Sequence, residues 1–303
     1  MILSIDSTGL VATVIVSDSE LLDAATARLR AALDDAGALL GETAPLGPDA
    51  CDSPVDGLSL PDARRIAATL ADDMPADIGI QPVAGRRKCL LVADMDSTMI
   101  TVECVDELAD FAGLKPQVAR ITEAAMRGEL DFADALRERV ALLADMPVET
   151  LERCFAERVR AIPGAEMLIR TMGDAGARTV LVSGGFTFFT ERVAAMLGFS
   201  RQVANRLEIV NGKLTGQVRP PIVDSATKLA TLHAEAEGAG LAMQQVMAVG
   251  DGANDIPMIK EAGLGVAYRA KPTAAAAADV AIRHGDLTAL LYLQGYRRDA
   301  FRA

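Results

Sequence analysis

Asp94 and Asp96 stand one residue apart at the end of the apolar run "LLVADMDSTMI", Leu90 to Ile100. Residues two apart on a strand point to the same side, so both carboxylates would share one end of a buried strand and repel each other. A cation must then sit near them. Considered alone, Asp-x-Asp at a strand end also suits a helix cap or a solvated turn. Two further stations of the same kind follow. "VSGGF", Val182 to Phe186, ends an apolar strand in Ser183, with Gly184 and Gly185 ahead of a helix predicted at 187–197. A hydroxyl and close-approaching amides suit an anion, and a plain strand-to-helix turn has the same composition. "VGDGANDIPMI", Val249 to Ile259, puts Asp251, Asn254 and Asp255 in a glycine-bearing loop before a helix with Pro257 in its first turn. Capping accounts for Asp255 but not for all these groups converging beside the first strand. Asp94, Asp96 and Asp251 together resemble an oxygen-only set for a hard divalent cation, most simply Mg²⁺. Lys228, in "DSATKLATL", falls in the first turn of a predicted helix. The macrodipole disfavours a cation there, so it is either a solvated lysine or one drawn into the site.

The elements that must position these residues are legible as apolar runs. Strands at 89–94, 178–183, 245–250, 264–268 and 279–283 alternate with helical patterns. Near-continuous apolar strands of this kind predict a parallel sheet covered on both faces, hence a doubly wound α/β domain. Residues 100–177 are far more than one crossover helix needs, and the excess predicts an inserted helical cap over the C-terminal strand ends. "RLEIVNGKLTGQV", 206–218, carries the Asn211-Gly212 signal of a two-residue hairpin. Upstream, a strand at 11–17, an amphipathic helix at 19–36, a helix at 61–73 and a strand at 77–83 belong to a β-α-β-α-β pattern, with a Gly/Pro/Asp-rich segment in its middle. "AGRRK", Ala84 to Lys88, is the expected hinge. The expected units are therefore residues 1–82 and 88–303, the second divided into a core (88–99 and 165–303) and a cap (100–164).

A chain of 303 residues accommodates two or three such units. Its net charge of −12 and pI near 4.7 argue against nucleic acid or an anionic membrane as partner, and an anionic substrate would need a local positive site. "MILSIDSTGLVATVIV" lacks a basic secretory start, and no apolar run approaches the ~20 residues of a membrane span, so a cytoplasmic protein is expected. Four cysteines without CxxC spacing and only two histidines argue against zinc.

The succession "DMDST", "VSGG", a lysine and "GDGAND" resembles the four motifs of the haloacid dehalogenase (HAD-like) superfamily of phosphohydrolases. "TMITVECVDELA", "ITEAAMRGELDFADALRERVALL", "PGAEMLI" and "VNGKLTG" resemble the branch of it that acts on O-phospho-L-serine, and the likeness covers about residues 88–296. It implies a Rossmann-like, HAD-type core with a helical cap. It also implies Mg²⁺-dependent hydrolysis of O-phospho-L-serine to L-serine and phosphate, the closing step of serine biosynthesis. By the resemblance Asp94 is the nucleophile that becomes an aspartyl-phosphate, and Asp96 is the general acid and base. Mg²⁺ is held by Asp94, the backbone carbonyl of Asp96, and Asp251. Lys228, Ser183 and the amides of Gly184 and Gly185 gather phosphoryl charge. Glu103 matches the partner of the substrate ammonium and Arg139 that of its carboxylate, with Arg137 two positions away. Without the resemblance, Glu103 and Arg139 read as exposed helix charges. Met126 and Phe132 match an apolar lid, Asn254 would orient the phosphate, and Asp255 a metal-bound water. Residues 1–82 resemble a divergent ACT-like α+β domain, which implies serine sensing or a homodimer. A phosphotransferase using another hydroxyl acceptor, and a non-catalytic amino-acid sensor, are the alternatives.

Overall fold

The computed structural model describes residues 9–126 and 129–302. The first sheet is built from β1 (Leu10–Val16), β2 (Leu39–Leu40), β3 (Ala44–Gly47), β4 (Ala50–Asp56) and β5 (Ala76–Pro82), with α1 (Leu22–Asp35) and α2 (Leu60–Asp72) between strands. Its order is β2-β4-β1-β5, all antiparallel, with β3 also on β4. Alternation along the strands puts Ala12, Val14 and Val16 with Ile78 and Ile80 on one face, where Leu29 and Leu33 of α1 and Ala63 and Ala67 of α2 cover them. Ser59 caps α2 through the Asp62 N–H, followed by Pro61 in the first turn. The Gly/Pro/Asp-rich middle segment is thus largely strand. Asp52 within β4 is buried, which its type opposes, but the Arg86 guanidinium pairs with it at 2.6 Å and Thr13 donates to it at 2.8 Å.

The second sheet contains β6 (Leu90–Ala93), β7 (Arg178–Phe186), β8 (Arg201–Val210), β9 (Lys213–Arg219), β10 (Val246–Gly250), β11 (Leu264–Tyr268) and β12 (Val280–Ile282). The order is β12-β11-β10-β6-β7-β8-β9, with only the β8–β9 hairpin pair antiparallel. Every residue of β6 is 0% exposed, as a central parallel strand covered on both faces requires. Four helices, α3 (Cys104–Phe111), α4 (Lys115–Met126), α5 (Phe132–Ala141) and α6 (Val148–Arg158), lie between β6 and β7. Chain enters and leaves this insertion side by side, through Thr101 N–H to the Arg160 carbonyl (3.0 Å) and Ile162 N–H to Met99 (2.9 Å). The remaining helices are α7 (Ala165–Asp174), α8 (Thr187–Leu197), α9 (Ser225–Gly238), α10 (Ile256–Glu261), α11 (Pro272–Ala275) and α12 (Ala289–Leu293).

The second face of the N-terminal sheet packs on the larger unit, with Ile15 and Ala50 in the same apolar cluster as Val280, Tyr292 and Leu293. Polar groups fasten this contact. Asp77, 1% exposed, accepts the backbone N–H groups of Arg283 (2.7 Å) and Gly285 (2.8 Å), and Gln81 and Arg86 donate to the Leu293 carbonyl at 2.6 and 2.8 Å. No helix among the described residues is long and apolar enough to cross a membrane.

Candidate active site

β6 is the first strand of the larger sheet, and its neighbours β7 and β10 come from opposite directions of winding. A crevice opens at the C-terminal ends of strands where such a sheet reverses, and the three stations of the sequence meet there. Asp94 and Asp96 follow β6, Ser183 lies in β7 and Asp251 follows β10. A cavity of about 610 Å³ is lined by these four residues together with Glu103, Phe132, Arg139, Gly184, Gly185 and Asn254.

Asp94 is oriented by the Met95 N–H (2.8 Å) and the Lys228 ammonium (2.7 Å). Lys228 is 1% exposed and also contacts Asp255 at 2.7 Å, so it is not a solvated lysine. It enters from the first turn of α9, which Asp224 caps by accepting the Thr227 N–H at 2.8 Å. Burial by itself would depress the lysine's proton affinity, but Asp94 and Asp255 outweigh it and hold Lys228 above the ordinary lysine value. Asp255 is completely buried, and besides Lys228 it accepts the Asp251 and Gly252 N–H groups at 3.2 and 3.0 Å. A Cβ on Gly250 would overlap its carboxylate, so only glycine leaves room for it. Asp255 is therefore a central member of the site, whereas its sequence position reads chiefly as a cap.

Asp94, Asp251 and Asp255 each bring one carboxylate oxygen within 4.8 Å of the others. Lys228 pairs with two of these acids and the Lys271 charge acts on Asp251, so the three carboxylates crowd one another with little cationic compensation. Burial and the Asp255 charge push Asp94 well above the usual carboxylate range, against the pull of Lys228. Burial, Asp255 and Glu103 push Asp251 up to about 6. A hard divalent cation relieves that repulsion and matches the all-oxygen donors, so the residues present fit one. Asp96 stands apart from the cluster. Its carboxylate accepts the Cys104 N–H at the start of α3 (3.3 Å) and lies 3.5 Å from the Ser183 hydroxyl. Burial and then Glu103 raise it to about 7.

The chain turns sharply after Asp96. Ser97 adopts a left-handed φ of 57°, costly for a non-glycine residue, and its hydroxyl donates to Glu103 at 2.7 Å. Glu103 is the N-terminal flank of α3 and exposed to the cavity. Arg139 of α5 is half-buried in the cavity wall, where burial lowers its proton affinity while Asp106 and Glu103 support its charge. Arg137 lies outside this wall and pairs with Asp134 at 2.7 Å. The Phe132 ring reaches across to the β7 turn, 3.0 Å from where a Cβ on Gly184 would stand. Met126 ends α4, and its side chain lies outside the described residues. Asp106 and Lys271 also line the cavity; their sequence contexts carry no signal that would have singled them out.

Residues 91–260 match the model of the haloacid dehalogenase-like hydrolases. The chain is 49% identical over 209 residues to a phosphoserine phosphatase of Polaromonas sp. (strain JS666), a stretch covering 67% of this chain and 89% of that one. The fold is similar to that of a probable phosphoserine phosphatase from Vibrio cholerae in unliganded form, with TM-score 0.76, 31% identity, and coverage of 97% of this chain and 88% of that one. It is also similar to a phosphoserine phosphatase solved as a phospho-aspartyl intermediate analogue, with TM-score 0.63, 39% identity, and coverage of 68% and 98% respectively.

Proposed function

The chain belongs to the haloacid dehalogenase-like hydrolases, and from that premise we propose that it is a Mg²⁺-dependent phosphatase that converts O-phospho-L-serine to L-serine and phosphate through an aspartyl-phosphate at Asp94. The observation that carries this is one cavity lined both by Asp94, Asp96, Ser183 and Asp251 and by Glu103 and Arg139. The first group suits a phosphoryl ester. The second offers an anion and a guanidinium to an ammonium and a carboxylate.

In this account the Asp94 carboxylate attacks phosphorus as the P–O bond to serine breaks, and Asp96 gives its proton to the departing serine oxygen. The aspartate that remains then takes a proton from water as that water attacks the acyl phosphate, which frees Asp94 and phosphate. A value near 7 suits Asp96 to both steps, since a group poised near the working pH donates and accepts with little penalty. Lys228 steadies Asp94 and the incoming phosphoryl charge, with the Ser183 hydroxyl and the β7-turn amides opposite. Mg²⁺ would be held by Asp94, the Asp96 backbone carbonyl and Asp251, with Asp255 beside them, and would supply charge neutralisation and Lewis acidity. Asn254 would orient the phosphate. Phe132 and Met126 would form an apolar lid in a helical cap made of α3 to α6. Residues 1–82 would be an ACT-like unit that senses serine or pairs two copies, and the enzyme would work in the cytoplasm at the end of serine biosynthesis.

The test is phosphate release from O-phospho-L-serine beside sugar, nucleotide and aryl phosphates, with Mg²⁺, with EDTA and with added alcohol acceptors. A Mg²⁺-dependent preference for phosphoserine with free phosphate as product supports the proposal. Preference for another phosphate would sink the roles of Glu103 and Arg139, and phosphorylated alcohol as the main product would make the protein a phosphotransferase.

A further inference from the structure

Asn205 lies in β8, 0% exposed. Its Nδ2 donates to the Gly184 carbonyl at 2.8 Å and to the Val223 carbonyl at 3.2 Å, and its Oδ1 accepts the Val223 N–H at 2.7 Å. Both donors of a buried amide and one side of its acceptor are thus spent on the backbone of two separate segments. Gly184 belongs to the β7 turn that carries Ser183. Val223 directly precedes Asp224, the cap of the helix that carries Lys228.

The β7 turn cannot be fixed by its own ladder. Pairing between β7 and β8 jumps from Ser183 with Ala204 to Phe186 with Asn205, so Gly184 and Gly185 have no partners on β8, and neither has a side chain to pack. In a trans peptide, however, the carbonyl and the next N–H are coplanar and point in opposite directions. Holding the Gly184 oxygen turns the Gly185 N–H the other way, where it donates to Ser183 Oγ at 2.8 Å. That side faces the reacting groups, since a Cβ on Gly185 would stand 3.0 Å from both Asp96 Oδ2 and Ser183 Oγ.

We propose that Asn205 is a positioning residue for phosphoryl binding. It sets the plane of the Gly184–Gly185 peptide, so that the Gly185 amide and the Ser183 hydroxyl face the space before Asp94 and Asp96. Through Val223 it also sets the distance from that turn to the first turn of α9, and so the placement of Lys228 on Asp94. The inference rests on the phosphoryl-transfer reading of the site given above.

Asn205→Ala and Asn205→Asp test it, with inorganic phosphate binding measured by calorimetry in Mg²⁺ beside kcat and KM on O-phospho-L-serine. The aspartate keeps an acceptor for the Val223 N–H but sets an oxygen against the Gly184 carbonyl. Both variants are expected to weaken phosphate binding and lower kcat/KM by roughly tenfold to a hundredfold. Thr190→Val is the control, since it removes a part-buried hydrogen bond to Gln202 of the same strand (2.6 Å) and touches neither segment; it should leave phosphate affinity unchanged. Wild-type phosphate affinity in a folded Asn205 variant, or an equal loss in Thr190→Val, overturns the proposal. If one Asn205 variant does not fold, the other is read alone, and Asn205→Ser, which keeps a hydroxyl donor, replaces it if neither does. A wild-type protein inert toward phosphoserine would sink the activity reading, while phosphate affinity would still decide the role of Asn205.

Discussion

Arg139 and Arg137 are two positions apart on one helix, and their surroundings separate them. Arg139 is walled into the cavity and Arg137 holds Asp134 in solvent. Arg139→Ala should lower kcat/KM on phosphoserine by roughly 10- to 100-fold, the worth of a charge-assisted hydrogen bond, with little effect on a phosphomonoester lacking a carboxylate. An equal loss on both substrates would contradict its role. Lys228 and Asp255 show what was legible at this scale. A lysine in the first turn of a helix breaks a local rule and so points to function, whereas an aspartate before a helix obeys one and conceals its function. Asn205 was hidden for the same reason, since one amide in the polar-apolar pattern of "VANRLEIV" resembles any outward strand residue. Lys88 offers a separate test of the buried charges. Its ammonium donates to the Gly85 and Gln244 carbonyls at 2.8 and 2.7 Å, and burial lowers it to about 8 from an ordinary 10.5. Between those values the unfolded chain binds more protons than the folded one, so this group makes stability rise with pH across the window from about 8 to 10.5. Lys88→Met should flatten that rise in denaturant titrations at successive pH values; an unchanged slope would contradict it.

At the scale of elements, the buried strands of the larger sheet were readable to within a few residues, because a parallel strand covered on both faces has to be apolar throughout. The strand pattern 89–94 became β6, and 264–268 became β11 without change. The segment between α1 and α2 was not readable as three strands. Its prolines and aspartates signal turns, and the partners that make the burial of Asp52 tolerable, Arg86 and Thr13, lie far from it in the chain. β5 carries a comparable constraint from outside itself. A Cβ on Gly79 would overlap Leu293 Cδ2 and stand 3.2 Å from Val280 Cγ2. Gly79→Ala should therefore destabilise the protein by about 1–3 kcal/mol, the usual cost of overpacking. A gain in stability in urea unfolding would mean that the two sheets pack less closely there.

For the molecule as a whole, the unexpected feature is how firmly the N-terminal unit is seated. Composition suggested a hinge at "AGRRK", yet Arg86 within it binds Asp52 on one unit and the Tyr292 and Leu293 carbonyls on the other. No local pattern reveals such a contact, because its partners are more than 200 residues apart in the chain. Asp77 adds a buried carboxylate whose partners are all backbone N–H groups of the other unit, and losing such a pairing leaves those groups desolvated. The two units should accordingly unfold in one cooperative calorimetric transition. Two resolved transitions would contradict this seating. One sheet face is used up in it, so among the described residues of this unit the surfaces left for pairing two copies are the α1 and α2 face and the β2 edge, where Leu39 is 72% exposed.

The central claim is that Asp94 takes the phosphoryl group, and it is tested most directly by mixing protein, Mg²⁺ and O-phospho-L-serine, quenching in acid within one turnover, and sequencing the peptides by mass spectrometry. The account predicts a phosphoryl adduct on Asp94, absent from a folded Asp94→Asn variant whose kcat has fallen by about 10⁴-fold or more. Rapid phosphate release by that variant, or an adduct on any other residue, would contradict it.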